Sequence, residues 1–219
     1  MDGKFQVFGS KHHRYRLGPP LSERELAEFE FSKGVRLPED YRQFLANVGN
    51  GGAGPYYGLE SLHPQLRDLS QPFPLVAASD TLSEEALDRL PDPDDYPGVL
   101  ELCHMGCGHY AYLVVNGPKY GMIWYGGEGL YFPTEFTFSS WYRRWLEKSL
   151  VRLANQPLVG KLRIGMSRDK VVAEVGGDWK VRVVGQNPTY LFECSDIPVQ
   201  LEVDASGIVV KVNPWPFIF

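Results

Sequence analysis

The sequence predicts an α+β fold, with helices and strands in separate runs and a small β-rich unit at the C-terminus. Two short helices with one-sided apolar residues precede residue 50, and β-rich segments separated by glycine turns fill the stretch from 98 to 132. Apolar residues then alternate with polar ones between 197 and 212. We expect an N-terminal lead-in at 1–19, a main domain at 20–153 and a C-terminal domain at 154–219.

The two N-terminal helices are predicted from their caps and their apolar spacing. Ser22 and Glu25 have the spacing of a capping box, in which each side chain satisfies a free backbone N–H of the other residue. Pro38 suits the first position of the next helix, where a missing N–H has no cost. The apolar stripe of that second helix consists of Tyr41, Phe44, Leu45 and Val48.

The glycine-rich run at 49–54 is interpreted as a helix stop followed by a turn. It follows a helix instead of a strand, and it lacks the Lys-Ser/Thr pair of a phosphate-binding loop. The run at 126–129 is interpreted as a β-turn for similar reasons.

The middle of the chain is predicted to be mainly β-structure. Thr81 and Glu84 repeat the capping-box spacing and predict a third helix, whereas three prolines between 91 and 98 exclude regular structure there. Asn116-Gly117 predicts a tight hairpin connection. The predicted strands are at 56–62, 73–78, 98–104, 109–116, 120–125 and 130–132.

A long helix and a β-α-β-β-β unit are predicted for the remainder. Ser139 or Ser140 is expected to cap the long helix, and Ser167 caps the helix of the C-terminal unit. The first strand of that unit is predicted at 162–164. Alternation marks the buried face of its sheet, which is predicted to carry Val199, Leu201, Val203, Ile208, Val210 and Val212.

The composition excludes several classes of function. A net charge of −5 argues against a general nucleic-acid binder, and no apolar run approaches the roughly 20 residues that cross a bilayer. Three cysteines are a sparse, odd set for a disulfide scaffold, and the first four residues lack the basic-then-apolar order of a signal peptide. We therefore expect a cytoplasmic protein that contacts neither membrane nor nucleic acid directly.

An acidic stretch between residues 80 and 101 is the main candidate for a partner-binding surface. Its eight carboxylates accompany a single cation, Arg89, and residues 1–150 carry a net charge of −6 against +1 for residues 151–219. Clustered negative charge accelerates the encounter with a basic partner, although a solvated helix face running into a polar loop gives the same pattern. The candidate contact residues are Glu84, Glu85, Asp88, Asp92, Asp94, Asp95 and Glu101.

Aromatic residues beside predicted turns and strands form a second candidate surface. Exposed Tyr and Trp side chains often anchor interfaces. Aromatic residues also fill cores, and at least half of this set is expected there. The candidates are Tyr56, Tyr57, Tyr96, Trp124 and Tyr125.

Four potential zinc ligands, Cys103, His104, Cys107 and His109, lie within seven residues. Cys103 and His104 would face opposite sides of a strand, and no second pair with ligand spacing occurs elsewhere, so we predict no metal and no cofactor. A Cys107–histidine nucleophile would also need an orienting group and a pocket. A small Cys/His-dependent enzyme is therefore the least favoured alternative, and no catalytic residue is predicted.

The order and spacing of several motifs resemble the SUKH superfamily over residues 20–150. That superfamily includes bacterial toxin-immunity proteins and the yeast cell-wall-synthesis regulators. The motifs that carry the resemblance are Leu21-Ser22-Glu23, Phe29-Glu30, Leu37-Pro38-Glu39-Asp40-Tyr41-Arg42-Gln43-Phe44-Leu45, Asn50-Gly51-Gly52, Gly106-Cys107-Gly108, Tyr112-Leu113-Val114-Val115-Asn116-Gly117, Gly121-Met122-Ile123-Trp124 and a closing aromatic helix with Phe138, Trp141 and Trp145-Leu146.

This resemblance implies an α+β fold with a curved, mainly antiparallel sheet and helices packed on one side, and it implies binding instead of catalysis. The expected function is that of an immunity protein, which neutralises a cognate nuclease- or deaminase-type bacterial toxin by direct binding. Because nuclease toxins need a basic face to hold phosphates, the expected partner has one. An intracellular adaptor or regulator of the same fold is the alternative.

Overall fold

A computed structural model of the chain describes residues 7–62, 67–92, 95–159, 161–184, 189–194 and 197–214. The chain divides into two compact units, Met1–Leu146 and Glu147–Phe219, called unit 1 and unit 2 below. The predicted boundary between residues 153 and 154 remains a prediction.

Both units combine helices with a four-stranded antiparallel sheet, which confirms the predicted α+β class. Unit 1 has the strand order β1-β2-β3-β4 and unit 2 the order β5-β6-β7-β8. The helices are α1 (Ser10–His13), α2 (Glu23–Lys33), α3 (Glu39–Asn47), α4 (Glu84–Leu87), α5 (Phe138–Val159) and α6 (Arg168–Val175). The strands are β1 (Val99–Gly106), β2 (His109–Val114), β3 (Met122–Gly127), β4 (Leu130–Thr137), β5 (Trp179–Val184), β6 (Thr189–Cys194), β7 (Ile197–Val203) and β8 (Val209–Pro214).

The predicted capping box at the start of α2 is confirmed. The Ser22 hydroxyl accepts a hydrogen bond from the Glu25 N–H at 3.3 Å, and the Glu25 carboxylate accepts one from the Ser22 N–H at 2.8 Å. The helix ends at Gly34, whose φ of 64° is the left-handed cap that glycine adopts without steric cost.

Helices α2 and α3 and the start of α5 pack against one face of the unit 1 sheet, as predicted. Three of the four stripe residues of α3 are buried, but Val48 is 48% exposed because it lies beyond the last turn of that helix. This first core contains Leu26, Tyr41, Phe44, Leu45, Leu100, Leu102, Cys103, Ala111, Leu113, Ile123, Phe138 and Trp141.

The opposite face of the same sheet is also buried. Because side chains alternate across a strand, Leu113 points into the first core while its neighbours Tyr112 and Val114 point away from it. Segments between α3 and β1 cover them and form a second core. Its buried members are Phe73, Leu75, Tyr96, Val99, Tyr112, Val114, Trp124 and Tyr131.

Two of the predicted helix caps were wrong. Ser83 caps α4 by accepting a hydrogen bond from the Ala86 N–H, whereas the Thr81 hydroxyl donates to the Ala78 carbonyl in a single 3₁₀ turn. Helix α5 follows β4 directly. The Ser139 N–H, which has no partner within the helix, donates a hydrogen bond to the Asp40 carboxylate at 2.9 Å. Such a cap from a distant element leaves no local pattern in the sequence.

Several predicted strands and turns also differ from the structure. Residues 56–62 and 73–78 form no regular strand. The first segment makes isolated backbone hydrogen bonds to the edge of β1, such as that from the Glu60 N–H to the Leu102 carbonyl at 2.7 Å, and the second covers the sheet. Asn116-Gly117 lies in a longer connection, in which the Asn116 amide donates to the Ser70 carbonyl at 2.7 Å. Gly126 and Gly127 belong to β3, so the hairpin turn consists only of Glu128 and Gly129.

The lead-in packs against the glycine-rich run. Leu17 and Gly52 form an antiparallel bridge, and the Ala53 N–H donates to the Arg16 carbonyl at 2.7 Å. A Cβ at Gly52 would lie 2.2 Å from the Arg16 carbonyl oxygen, so this approach requires glycine. The glycines therefore permit backbone pairing, in addition to ending α3.

Unit 2 has its own core under α6. Ser167 caps this helix as predicted, and the predicted strand at 162–164 is not formed. After the turn the predicted buried face was wrong at Val210, which is 47% exposed while Val209 is 1% exposed, whereas Val212 packs against the core as predicted. A register shift between Glu202 and Val203 pairs Val203 with Val209 and so moves that residue to the buried side.

We predict that Gly126→Ala destabilises unit 1 by about 1–3 kcal/mol, the usual cost of overpacking. A Cβ at this position would lie 2.5 Å from two carbons of the Tyr131 ring, which is buried. Urea unfolding measures the change. The cost should shrink in a Tyr131→Leu background, where the ring is absent; an equal cost in both backgrounds would contradict this explanation.

We also predict that acidification destabilises unit 1 through His13. Burial, together with the neighbouring His12, lowers the pKa of His13, and the ring Nδ1 accepts a hydrogen bond from the Tyr15 N–H at 3.1 Å. The unfolded chain therefore binds a proton near the ordinary pKa of about 6.5, while the folded chain does not. The contribution of His13 is constant above that pH and is lost as the pH falls below it.

The measurement is urea unfolding at pH 7.5 and pH 5.5, on the wild type and on His13→Phe. The variant keeps an aromatic ring but cannot titrate, so its free energy of unfolding should fall less between the two pH values. Parallel losses in the two proteins would show that other groups cause the acid sensitivity.

Candidate functional site

Most of the predicted acidic contact residues are exposed. Glu84 and Glu85 lie in the first turn of α4, and Asp88, Asp92 and Asp95 follow it along the chain. These five residues are called the acidic surface below. Asp94 lies outside the described residues, so its predicted place is untested.

The acidic surface is anchored from beneath by apolar contacts. Leu82 and Leu90, on either side of α4, pack against the second core. On the outer side, Arg89 forms an ion pair with Glu85, and both side chains are at least 74% exposed. Such a pair contributes little to stability, so the Glu85 carboxylate adds little to the stability of the fold.

Glu101 lies on β1, outside the segment that carries the acidic surface. Its side chain is half-buried and points to the second face, where its strand partner is Tyr112. Together with Asp92 it lines a cavity of about 570 Å³. The structure therefore assigns Glu101 to a pocket instead of an open surface.

Two of the predicted aromatic contacts, Tyr96 and Trp124, were wrong. They are 1% and 0% exposed, since both belong to the second core. The ring centroids of Phe73 and Trp124 are 5.0 Å apart, and those of Tyr96 and Tyr131 are 4.9 Å apart. These residues stabilise the layer that covers the sheet and are not available to a partner.

Tyr56 and Tyr125 are half-buried and belong to the helix side of the sheet. The Tyr125 hydroxyl accepts a hydrogen bond from the Trp141 indole N–H at 2.9 Å, and burial raises the pKa of both tyrosines. Tyr57 is more open, at 39% exposed, and stacks on His104 with centroids 5.5 Å apart. Of the five predicted aromatic contacts, Tyr57 alone is an exposed residue.

Sequence reasoning missed the residues that complete the cavity. Tyr110 and Tyr112 contribute two rings, and Glu128 contributes a third carboxylate from the β3–β4 turn. Arg67 places its guanidinium 5.2 Å from the Tyr112 ring centroid and donates to the Tyr96 carbonyl at 3.2 Å. The available signal was Glu101 itself, a carboxylate within the otherwise apolar run at 99–103.

The strand geometry separates the four members of the cysteine–histidine cluster from one another. Cys103 is fully buried in the first core, where burial raises the pKa of its thiol, and His104 lies on the opposite face. Cys107 is exposed in the hairpin turn, and the His109 ring contacts its carbonyl oxygen at 2.9 Å. Across the described residues, no three His, Cys, Asp or Glu side chains are placed to hold a metal ion.

The conformation of Cys107 has a structural explanation. Cys107 and Gly108 both have positive φ, at 50° and 74°, as a two-residue type I′ hairpin requires. Asn is the residue that, after glycine, tolerates this conformation best. The backbone of Cys107, the first residue of this turn, is therefore strained.

We predict that Cys107→Asn raises the free energy of unfolding by roughly 0.5–1 kcal/mol, because it relieves left-handed strain. Cys107→Ser, which removes the thiol without this conformational preference, is the matched control and should leave stability nearly unchanged. Urea unfolding measures both. Equal stability of the two variants would contradict the assigned strain.

No helix within the described parts of the chain is both long and apolar enough to span a bilayer. A model of the SMI1/KNR4 family (SUKH-1) matches residues 20–144. That range includes α2, α3, the whole unit 1 sheet and the start of α5. Domains of this family are generally non-enzymatic and of an immunity or regulatory type. No curated protein and no solved structure matches the chain.

Proposed function

The chain belongs to the SMI1/KNR4 family (SUKH-1), and from this premise we propose that it is an immunity protein that neutralises a cognate bacterial toxin by direct binding. The observation that carries the proposal is the family match over residues 20–144. The proposed site of action is the cytoplasm. The free thiols of Cys103 and Cys107 are compatible with that compartment.

The acidic surface gives the proposed binding a physical basis. A toxin that cuts or modifies nucleic acid needs a cationic face to hold phosphates. An inhibitor that covers this face is attracted by it, and clustered carboxylates also repel acidic competitors. Glu84, Glu85 and Asp88 are exposed on a segment that Leu82 and Leu90 hold on the core, so their charges are presented by an anchored element.

The test is co-expression with the products of the adjacent genes. A neighbour that arrests growth when expressed alone should be neutralised by this chain, and the two purified proteins should form a stable complex on size exclusion. Absence of both protection and a complex for every neighbour would overturn the proposal. Capture of housekeeping proteins by the full chain in that case would favour the adaptor function.

We predict that neutralising the acidic surface lowers the association rate constant for the toxin by about ten-fold at low salt, because electrostatic steering is lost. The difference should shrink as the salt concentration rises and screens the charges. Surface plasmon resonance at several ionic strengths measures it. The variant combines Glu84→Gln, Glu85→Gln, Asp88→Asn, Asp92→Asn and Asp95→Asn.

The matched control changes the net charge by the same amount at exposed positions elsewhere. Its association rate should stay close to that of the wild type, since those charges are spread over the chain. An equal loss in both variants would show that net charge alone, and not this surface, accelerates binding. The control combines Glu28→Gln, Glu60→Gln, Glu135→Gln, Glu147→Gln and Glu174→Gln.

A further inference from the structure

The cavity on the second face of the unit 1 sheet has the size of a ligand site. Its volume of about 570 Å³ falls within the usual range for pockets that hold small molecules or side chains. Strands β1 and β2 supply Glu101, Tyr110 and Tyr112, and the two hairpin turns supply glycines at the rim. Glu101 and both tyrosines therefore belong to a hydrogen-bonded sheet, which holds these three groups in fixed positions.

The chemistry of the lining favours a cation. Asp92, Glu101 and Glu128 are acidic, and Arg67 is the only basic residue among the lining residues that the structure describes. The negative faces of tyrosine rings also attract cations. Arg67 already shows this preference, because its guanidinium lies 5.2 Å from the centroid of the Tyr112 ring.

The rim of the cavity leaves room for a chain segment to approach. A Cβ built at Gly108 or at Gly129 would meet no heavy atom within 4 Å, so the turn backbones are open on that side. Asp92 belongs both to the acidic surface and to the cavity lining. A basic partner drawn to that surface thus meets the cavity at a shared residue.

We propose that this cavity binds an arginine or lysine side chain presented by the protein partner, with Glu101 and Glu128 as the carboxylates that recognise it. This inference rests on the proposed function, since it assigns the partner's contact chemistry. Such a contact is expected to slow dissociation of the partner, because its charged side chain would lose part of its hydration and pair with the carboxylates of the cavity.

The test uses N-acetyl-arginine-N-methylamide, whose only charge is the guanidinium. In ¹H–¹⁵N NMR titrations of the full chain at millimolar probe concentrations, saturable shifts are expected at the amides of Gly108, Gly127 and Gly129. The double variant Glu101→Gln/Glu128→Gln should raise the dissociation constant of the probe at least about five-fold. The matched variant Glu84→Gln/Glu85→Gln, with the same change in charge, should stay within two-fold of the wild type.

Two further probes sharpen the result. N-acetyl-alanine-N-methylamide, which lacks the cation, should cause no saturable shifts. Inorganic phosphate should cause none either; saturable shifts at the same glycines with phosphate would make Arg67 the recognition element and overturn the proposal. Equal probe affinity of the two double variants, or shifts confined to the acidic surface, would overturn it as well.

The same double variant separates this inference from the proposed function. If this variant dissociates from the toxin at the same rate as the wild type, the cavity does not bind the partner's cationic side chain, while the immunity function stands. If the arginine probe binds as expected but no neighbouring gene product is neutralised, the immunity function is wrong and the cation site stands. The unchanged ¹H–¹⁵N spectrum of the variant outside the cavity serves as the check that it folds.

Discussion

The sheet of unit 1 is buried on both faces, and this constraint determines most of what surrounds it. Strand β2 shows the reason: Ala111 and Leu113 point to the helices, while Tyr112 and Val114 point to the other side. An antiparallel sheet often leaves one face in water, but here such exposure would place Tyr112, Val114 and Trp124 in solvent. The irregular segment before β1 must therefore fold over the second face and bring the acidic residues with it.

The same cover ends at the position of the cavity. Phe73, Tyr96 and Tyr131 pack over Trp124 and Val114, but Glu101 and Tyr110 lie beyond the closely packed rings and are only half-buried. Burying the Glu101 carboxylate beneath the apolar cover would cost free energy, because a buried charge needs a partner. The cover over the second face is therefore open at the place where β1 carries a charged residue, Glu101.

Local chemistry was predictable from the sequence, whereas coverage by distant segments was not. The capping box at Ser22 and the strands β1 to β4 depend on residues near in sequence, and both were predicted, although the strand ends differ by a few residues. Trp124 and Tyr96 looked like surface aromatics because a period of two defines which residues share a face but not whether another segment covers it. The cap of α5 by Asp40 was missed for the same reason, since 99 residues separate the partners.

The candidate site shows this division most clearly. The carboxylates at 84–95 form a run in the sequence, so composition alone indicated an acidic surface. The cavity brings together Arg67, Glu101 and Glu128, which come from three separate parts of the chain. The strand registers place Glu101 and the Glu128 turn near each other, and Arg67 joins them through its contacts with the Tyr96 carbonyl and the Tyr112 ring.

The two features differ in how their charges act. Exposed carboxylates such as Glu84 and Glu85 are screened beyond roughly 8–10 Å at physiological salt, so in the proposed complex we expect them to accelerate encounter more than they hold the partner. Glu101 is half-buried opposite Tyr112 on the neighbouring strand, where the lower effective dielectric strengthens its interaction with a cation at contact distance. In the proposed complex, encounter and retention therefore depend on different residues, apart from Asp92, which belongs to both sites. Mutations in the acidic surface should act on association, and those in the cavity on dissociation.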